Sequence, residues 1–311
     1  MKVETRPLTE ADLPAARICN RTAFSTFYGM PDPSAFRRGA DVIGPRWRVW
    51  PEGAMAVDVD GSLAAVGLMM HWGSVCILGP LTVLPKYWNT GLARRIMTAL
   101  VEVIEHEDFA FTGLFTHPQS PTHIRLYEDY GFVMQRIIAV MAKPPMAEKA
   151  PVGLALFSEA ADPEGELDSM QALTHGIEPG LDLRREVRSI AAGGLGETLI
   201  LRDDRGLAGF AVCHHGPDSE ASEGQMLVKF AGAASGAQAP DRFARLLAAI
   251  ESHAEQRNLA KVIVGTNVGR SETYRIMQDA GYITEMNGIA MMRPAAEGYN
   301  RPEKFAIDDW R

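Results

Sequence analysis

Residues 76–97 read CILGPLTVLPKYWNTGLARRIM. The apolar run that opens the stretch predicts a buried strand ending near Leu84-Pro85. Leu92, Ile96, Leu100 and Val103 then recur at helical spacing and predict a long amphipathic helix over 91–106. Asn89-Thr90-Gly91 opens that helix. The first amides of a helix lack intrahelical partners and carry the positive end of its dipole. Gly91 has no side chain to hold a ligand off, so the turn suits a phosphate or pyrophosphate. The competing reading is a plain N-cap at Asn89 or Thr90 with no ligand. Within the strand, Pro80 cannot donate to a sheet ladder. It marks either a splay that frees the amides at Leu81 and Val83, or an edge strand that it merely blunts.

A second element, HPQSPTHIRLYEDYGF, spans 117–132. Ser120 is a good N-cap, Pro121 a good first helical residue, and Gly131 closes the helix as its left-handed cap. Ile124 and Tyr127 are three apart and share a face.

These elements recur. Gly131-Phe132 matches Gly281-Tyr282, and Lys143-Pro144 matches Arg293-Pro294, each at an offset of 150. The same offset lays Ile96, Met97 and Leu100 on Leu246, Leu247 and Ile250, and TGLF at 112–115 on VIVG at 262–265. Upstream, the hairpin turn Asp60-Gly61 matches Arg205-Gly206 at an offset of 145. The five extra residues fall in the polar loop GPDSEASEG, 216–224, expected to be an exposed insertion. KPPMAEKAP, 143–151, reads as a linker. The expected organisation is two α/β domains with mixed sheets, at 1–143 and 152–294. A tail over 295–311 is either packed on a neighbour or mobile.

The strand–loop–helix resembles motif A of the GNAT N-acetyltransferase superfamily, whose loop reads Gln/Arg-x-x-Gly-x-Gly/Ala. Here the six positions are Trp88-Asn89-Thr90-Gly91-Leu92-Ala93. The helix ending in LYEDYGF resembles motif B, and the order of elements matches across nearly all of 1–143. The resemblance implies two parallel strands that splay apart, with the pantetheine arm of acetyl-CoA on the backbone near Leu81 and Val83. Its pyrophosphate would rest on amides of the loop 89–94, from Asn89, Thr90 and Gly91 through Leu92, Ala93 and Arg94. Ser120 stands where the family commonly has an asparagine. Tyr127 falls where a tyrosine often protonates the departing thiolate. An amine that has lost its proton attacks the thioester directly. Two features depart from the pattern. Trp88 replaces Gln or Arg, and VCILGPLTV lacks the carboxylate that often serves as base. His71, His117 and His123 remain as bases or as ordinary surface and loop histidines.

In the second copy, Gln238-Ala239-Pro240-Asp241-Arg242-Phe243 aligns with 88–93. Pro240 removes an amide donor, Asp241 puts a negative charge at the helix start, and Met277 replaces Tyr127. This copy reads as a structural or substrate-shaping partner.

Composition limits the other possibilities. The chain has 311 residues and a formal net charge of −8, with no basic stripe, so nucleic acid and anionic membrane are poor partners. Cys19, Cys76 and Cys213 are isolated, which argues against disulfides and structural zinc. No metal is expected. No apolar leader or membrane span is legible, and a cytoplasmic location is expected. The acceptor site is expected in residues 20–50. Phe24, Phe27, Tyr28, Phe36, Trp47 and Trp50, with Arg37, Arg38, Arg46 and Arg48, either line a carboxylate-holding pocket or form ordinary helix faces. The expected function is acetyl transfer from acetyl-CoA to a small-molecule amine by a monomer or homodimer. The alternative is a non-catalytic acyl-CoA-binding sensor or scaffold.

Overall fold

The structure, a computed structural model, describes residues 2–146 and 150–311. The centre of the expected linker, 147–149, lies outside the described residues. The first repeat runs β1 (Val3–Pro7), α1 (Leu13–Phe27), α2 (Ile43–Val49), β2 (Ala54–Val59), β3 (Ser62–Trp72), β4 (Val75–Val83), α3 (Leu92–His106), β5 (Phe111–Thr116), α4 (Pro121–Glu128) and β6 (Val133–Lys143). The second runs β7 (Leu154–Leu156), α5 (Pro163–Ile177), α6 (Arg184–Gly193), β8 (Gly196–Asp203), β9 (Gly206–His214), β10 (Gln225–Ala233), α7 (Ala239–Gln256), β11 (Lys261–Asn267), α8 (Ser271–Asp279) and β12 (Ile283–Arg293). A last strand, β13 (Ala306–Asp308), lies in the tail.

The chain is α/β, with parallel and antiparallel strands mixed in one 13-stranded sheet. Its order is β1-β2-β3-β4-β5-β12-β6-β11-β10-β9-β8-β7. The repeat is visible in the register. The parallel pair β4–β5 begins at Val75 and Phe111, and β10–β11 begins at Gln225 and Lys261, each 150 positions on. The two helix ends also match. Phe132 N donates to Tyr127 O at 3.1 Å, and Tyr282 N donates to Met277 O at 3.0 Å. Gly131 and Gly281 hold φ of +80° and +87°, the left-handed region that glycine enters without strain.

The two last strands pair with each other. In the β6–β12 ladder Ile138 lies opposite Gly288, its own equivalent, which marks a local two-fold axis between the repeats. β12 also pairs with β5, and β6 pairs with β11. The sequence units 1–143 and 152–294 therefore each give their final strand to the sheet of the other. Trp72, Phe111, Phe210, Phe230, Tyr299 and Trp310 belong to one buried cluster drawn from both repeats and the tail.

Two local expectations are corrected, and the alternative left for the tail is decided. The second hairpin turns at Asp204-Arg205, since Asp203 pairs with Gly206 as Val59 pairs with Ser62. The upstream offset is thus 144, and the insertion holds six residues. That insertion is not exposed along its length. Ser219, Glu220 and Ala221 are buried, because Ser219 O accepts from Asp41 N at 2.7 Å and Glu223 N donates to Arg38 O at 2.8 Å. The loop is docked on the first repeat. The tail is packed: Tyr299 and residues 305–310 are buried. Gly113 makes room for it, since a Cβ there would lie 2.7 Å from the Trp310 ring.

Candidate active site

The parallel ladder between β4 and β5 ends at Leu78–Leu114, while β4 continues along β3 to Val83. Beyond Leu78 the two strands part. Leu84 N donates to Ala64 O on the β3 side at 2.9 Å. Strand alternation then turns the backbone groups of Thr82 towards β3 and those of Leu81 and Val83 into the gap. Pro80 sits at the parting point and has no donor to contribute, so the splay, rather than a blunted edge, is what forms.

The gap leads to the turn before α3. Gly91 is the N-cap, with φ +86° and open space where a Cβ would be. Neither Asn89 nor Thr90 caps the helix. Asn89 has φ +63°, and the Thr90 hydroxyl donates to Tyr87 O at 2.6 Å. The first bond of the helix runs from Arg95 N to Gly91 O at 3.3 Å, which leaves the amides of Leu92, Ala93 and Arg94 without intrahelical acceptors. The Trp88 indole donates to Val83 O at 2.7 Å, so this departure from the motif pins the loop to β4. Arg94 and Arg125 share Asp129, at 2.5 and 2.9 Å, which leaves the rim with net positive charge.

Leu81, Val83, Asn89, Gly91, Leu92, Ala93, Arg94, Ser120 and Tyr127 all line one cavity of 1460 Å³; Thr90 does not. Ser120 precedes α4, but its side chain makes no capping bond, so its hydroxyl is left for the cavity. Tyr127 packs edge-on against Phe132, and burial pushes its hydroxyl up to about 12.

The three histidines separate. His71 packs between Trp50 and Phe109 and does not reach the cavity. His117 and His123 both line it, each packed against the Phe27 ring, at 5.0 and 5.2 Å. His117 is a loop residue, as one of its readings had it, but a buried one, and its Nε2 lies 3.1 Å from the Tyr28 hydroxyl. Burial, with the neighbouring His123 charge, pulls His117 down to about 4, so it is neutral at pH 7.

The same cavity extends between α1, α2 and the second repeat. Phe24, Phe27, Tyr28, Phe36, Arg37 and Arg46 line it, whereas Trp47, Trp50, Arg38 and Arg48 do not. Trp47 instead donates to Leu8 O at 2.9 Å. Sequence reasoning missed Arg17 and Arg21 on α1, and Asp218, Met286, Trp310 and Arg311, which the second repeat and tail bring in. For the tail, a strand signal was present in Phe305-Ala306-Ile307. Arg46 crosses the interface: its guanidinium holds Gly79 O at 2.8 Å, Glu220 at 2.6 Å and the Arg311 main-chain oxygen. Glu220 also accepts from Lys229 at 2.7 Å, and the two cations hold its carboxyl far below its usual range against the opposing effect of burial.

The corresponding place in the second repeat is closed. β13 lies along β10 with Ile307 opposite Ala231, the equivalent of Leu81. Ala233 N, the equivalent of the Val83 amide, donates to Phe305 O at 3.0 Å. α7 begins at Ala239, three residues before the equivalent of Leu92, and Arg242 N donates to Gln238 O at 2.9 Å. The amides left free in the first repeat are helical bonds in the second. Met277 is fully buried where Tyr127 meets the cavity.

Residues 21–132 match the Acetyltransferase (GNAT) family. Among solved structures, the chain is similar to a Pyrococcus horikoshii protein assigned to the acetyltransferases, at 13% identity and a TM-score of 0.69, over 99% of this chain and 95% of that one. It is similar to a GCN5-related N-acetyltransferase from Sphaerobacter thermophilus at 18% identity and a TM-score of 0.60, over 94% and 95% of the two chains. It is also similar to a tandem GNAT protein from the clavulanic acid biosynthesis pathway at 12% identity and a TM-score of 0.57, over 94% and 98%. No curated protein matches significantly. The family match covers most of the first repeat, and the chain as a whole has the fold of tandem GNAT structures. Among the described residues no helix is long and apolar enough to cross a membrane.

Proposed function

We propose that the first repeat transfers an acetyl group from acetyl-CoA to the amine of a small molecule in the cytoplasm, and that the second repeat is not a catalytic site. The supporting observation is the continuity of the β4–β5 gap, the free amides at the start of α3 and the acceptor cavity. These residues fit the group. In the second repeat the same backbone edge pairs with an extended peptide, so the edge is built to hold an extended amide-bearing chain. The open space where a Gly91 Cβ would lie supports a pyrophosphate there.

Leu81 and Val83 would hold the pantetheine arm, and the loop 89–94 with Ser120 the phosphates. When bound, acetyl-CoA would supply the activated acetyl thioester. Tyr127 keeps its proton throughout the physiological range and can give it to the leaving sulfur. His117 is neutral at pH 7 and would take the proton that becomes acidic once the free amine has added to the thioester carbonyl, directly or through water. The second repeat supplies part of the acceptor wall and, as half of a local two-fold pair, takes the place of a dimer partner. Neither nucleic acid nor membrane enters this reading. Release of free CoA with a panel of amines tests it. Binding without release across the panel would leave a sensor or scaffold as the better account.

A further inference from the structure

Five guanidinium groups line the acceptor part of the cavity: Arg17, Arg21, Arg37, Arg46 and Arg311. Three have their own carboxylates. Arg17 pairs with Asp41 at 2.8 Å, Arg46 with Glu220 at 2.6 Å, and Arg311 with Asp309. The Arg37 guanidinium donates to Glu220 O at 2.6 Å and that of Arg21 to Ala40 O at 3.4 Å, both main-chain oxygens. Among the described residues no carboxylate lies within ion-pair distance of either. Burial pushes Arg37 down to about 10 and the Arg311 charge adds to the effect, against the opposing charges of Asp309 and Glu220. A partly buried cation with no carboxylate in direct contact, beside another cation, is stabilised by an anion that reaches it.

The apolar part of the wall is equally defined. Phe24 stacks on Phe36 at 5.3 Å, and Tyr28 stacks on Phe36 at 5.7 Å. Arg311 is fixed close to the reacting end, because Arg46 holds both its main-chain oxygen and Gly79 O, where β4 leaves β5. The tail that carries it is anchored by Asp308, which pairs with buried Arg270 and accepts from the Tyr299 hydroxyl at 2.6 Å.

We propose that the acceptor is an amino carboxylate with an apolar body: Arg37, with Arg311 beside it, holds the carboxylate, and the Phe24, Tyr28 and Phe36 rings hold the body. This rests on the acetyl-transfer reading and names its substrate class. The bidentate fork of arginine suits a carboxylate, and the aromatic rings exclude water from the pair.

The test uses aromatic and branched-chain amino acids against their decarboxylated amines, in the full chain and in Arg37→Gln and Arg37→Lys. Arg38→Gln, outside the cavity, is the control for folding. CoA release should favour the carboxylated member by about tenfold or more. Arg37→Gln should raise KM for that member by a similar factor and hardly move it for the plain amine, while Arg37→Lys restores part of the preference. Phenylpropionate and its amide, which have no amine to acetylate, are titrated in parallel by calorimetry, so the carboxylate site is read even if no amine reacts. Equal use or binding of both members, no binding by any carboxylate, or a preference that survives Arg37→Gln would each overturn the proposal. Carboxylate binding lost in Arg37→Gln without CoA release would sink acetyl transfer and leave the carboxylate site standing.

Discussion

Ala231 lies directly opposite Ile307 in the sheet, at the place where its equivalent in the first repeat, Leu81, faces an open cavity. One strand edge is thus filled by the chain itself and its twin is open to the cavity, although both present the same alternation of backbone groups.

Charge at the N-cap of α3 should separate the two repeats. Gly91→Asp is expected to weaken acetyl-CoA binding by about two orders of magnitude or more, through repulsion at the free amides. Asn tolerates the left-handed backbone equally well, so Gly91→Asn should retain most of the affinity. Asp241→Gly should change it little, because the amides there already serve α7. Isothermal titration of the three variants checks this.

Tyr127→Phe should lower kcat by about 10–100-fold and leave KM for acetyl-CoA within about twofold. With its hydroxyl at about 12, Tyr127 holds its proton to pH 10, so kcat should show no descending limb below that pH. A wild-type limb near pH 8 that disappears in Tyr127→Phe would argue against the acid role as described.

Stability should fall with acid in a definite window. His214 is fully buried, its Nδ1 accepts from Glu220 N, and it faces Lys229 and Arg46 as well as the Glu220 carboxylate. Burial pulls it from 6.5 to about 4. The native state therefore binds fewer protons than the unfolded chain between those values, and stability present above pH 6.5 is lost as pH drops towards 4. His214 accounts for on the order of 3 kcal/mol, and His117 and His253 act in the same direction. Calorimetric Tm values from pH 7.5 down to 4.5 should decline steadily; a flat profile would contradict this.

Asp308→Asn leaves buried Arg270 without its carboxylate and should cost about 3–5 kcal/mol. Loosening the tail should not create a second acetyl-CoA site, because Pro240 and the early start of α7 still close the loop. Denaturant unfolding and titration of the same variant read both outcomes.

Besides the repeat, what the residues made legible was local. The Gly91 turn and the Gly131 cap follow from glycine and apolar spacing within about 20 residues, whereas Pro80 left splay and blunted edge open and the gap came from the family resemblance. The burial of Ser219–Ala221, the crossing of Arg46 to Glu220 and the seating of β13 depend on which surfaces meet across the two-fold axis at Ile138 and Gly288. Polar composition pointed outward for the loop 216–224, yet Glu220 is held inside by Arg46 and Lys229. His117 was hidden for the same reason, since burial beside Phe27 comes from α1, about 90 residues upstream. The residues 20–50 mixed pocket and core positions, and only the packing of Trp47 and Trp50 sorts them.

The most direct test is calorimetric titration of the full chain with acetyl-CoA. One site per chain is expected, lost in Gly91→Asp and kept in Asp241→Gly. Two sites per chain, or no binding up to millimolar concentration, would contradict it.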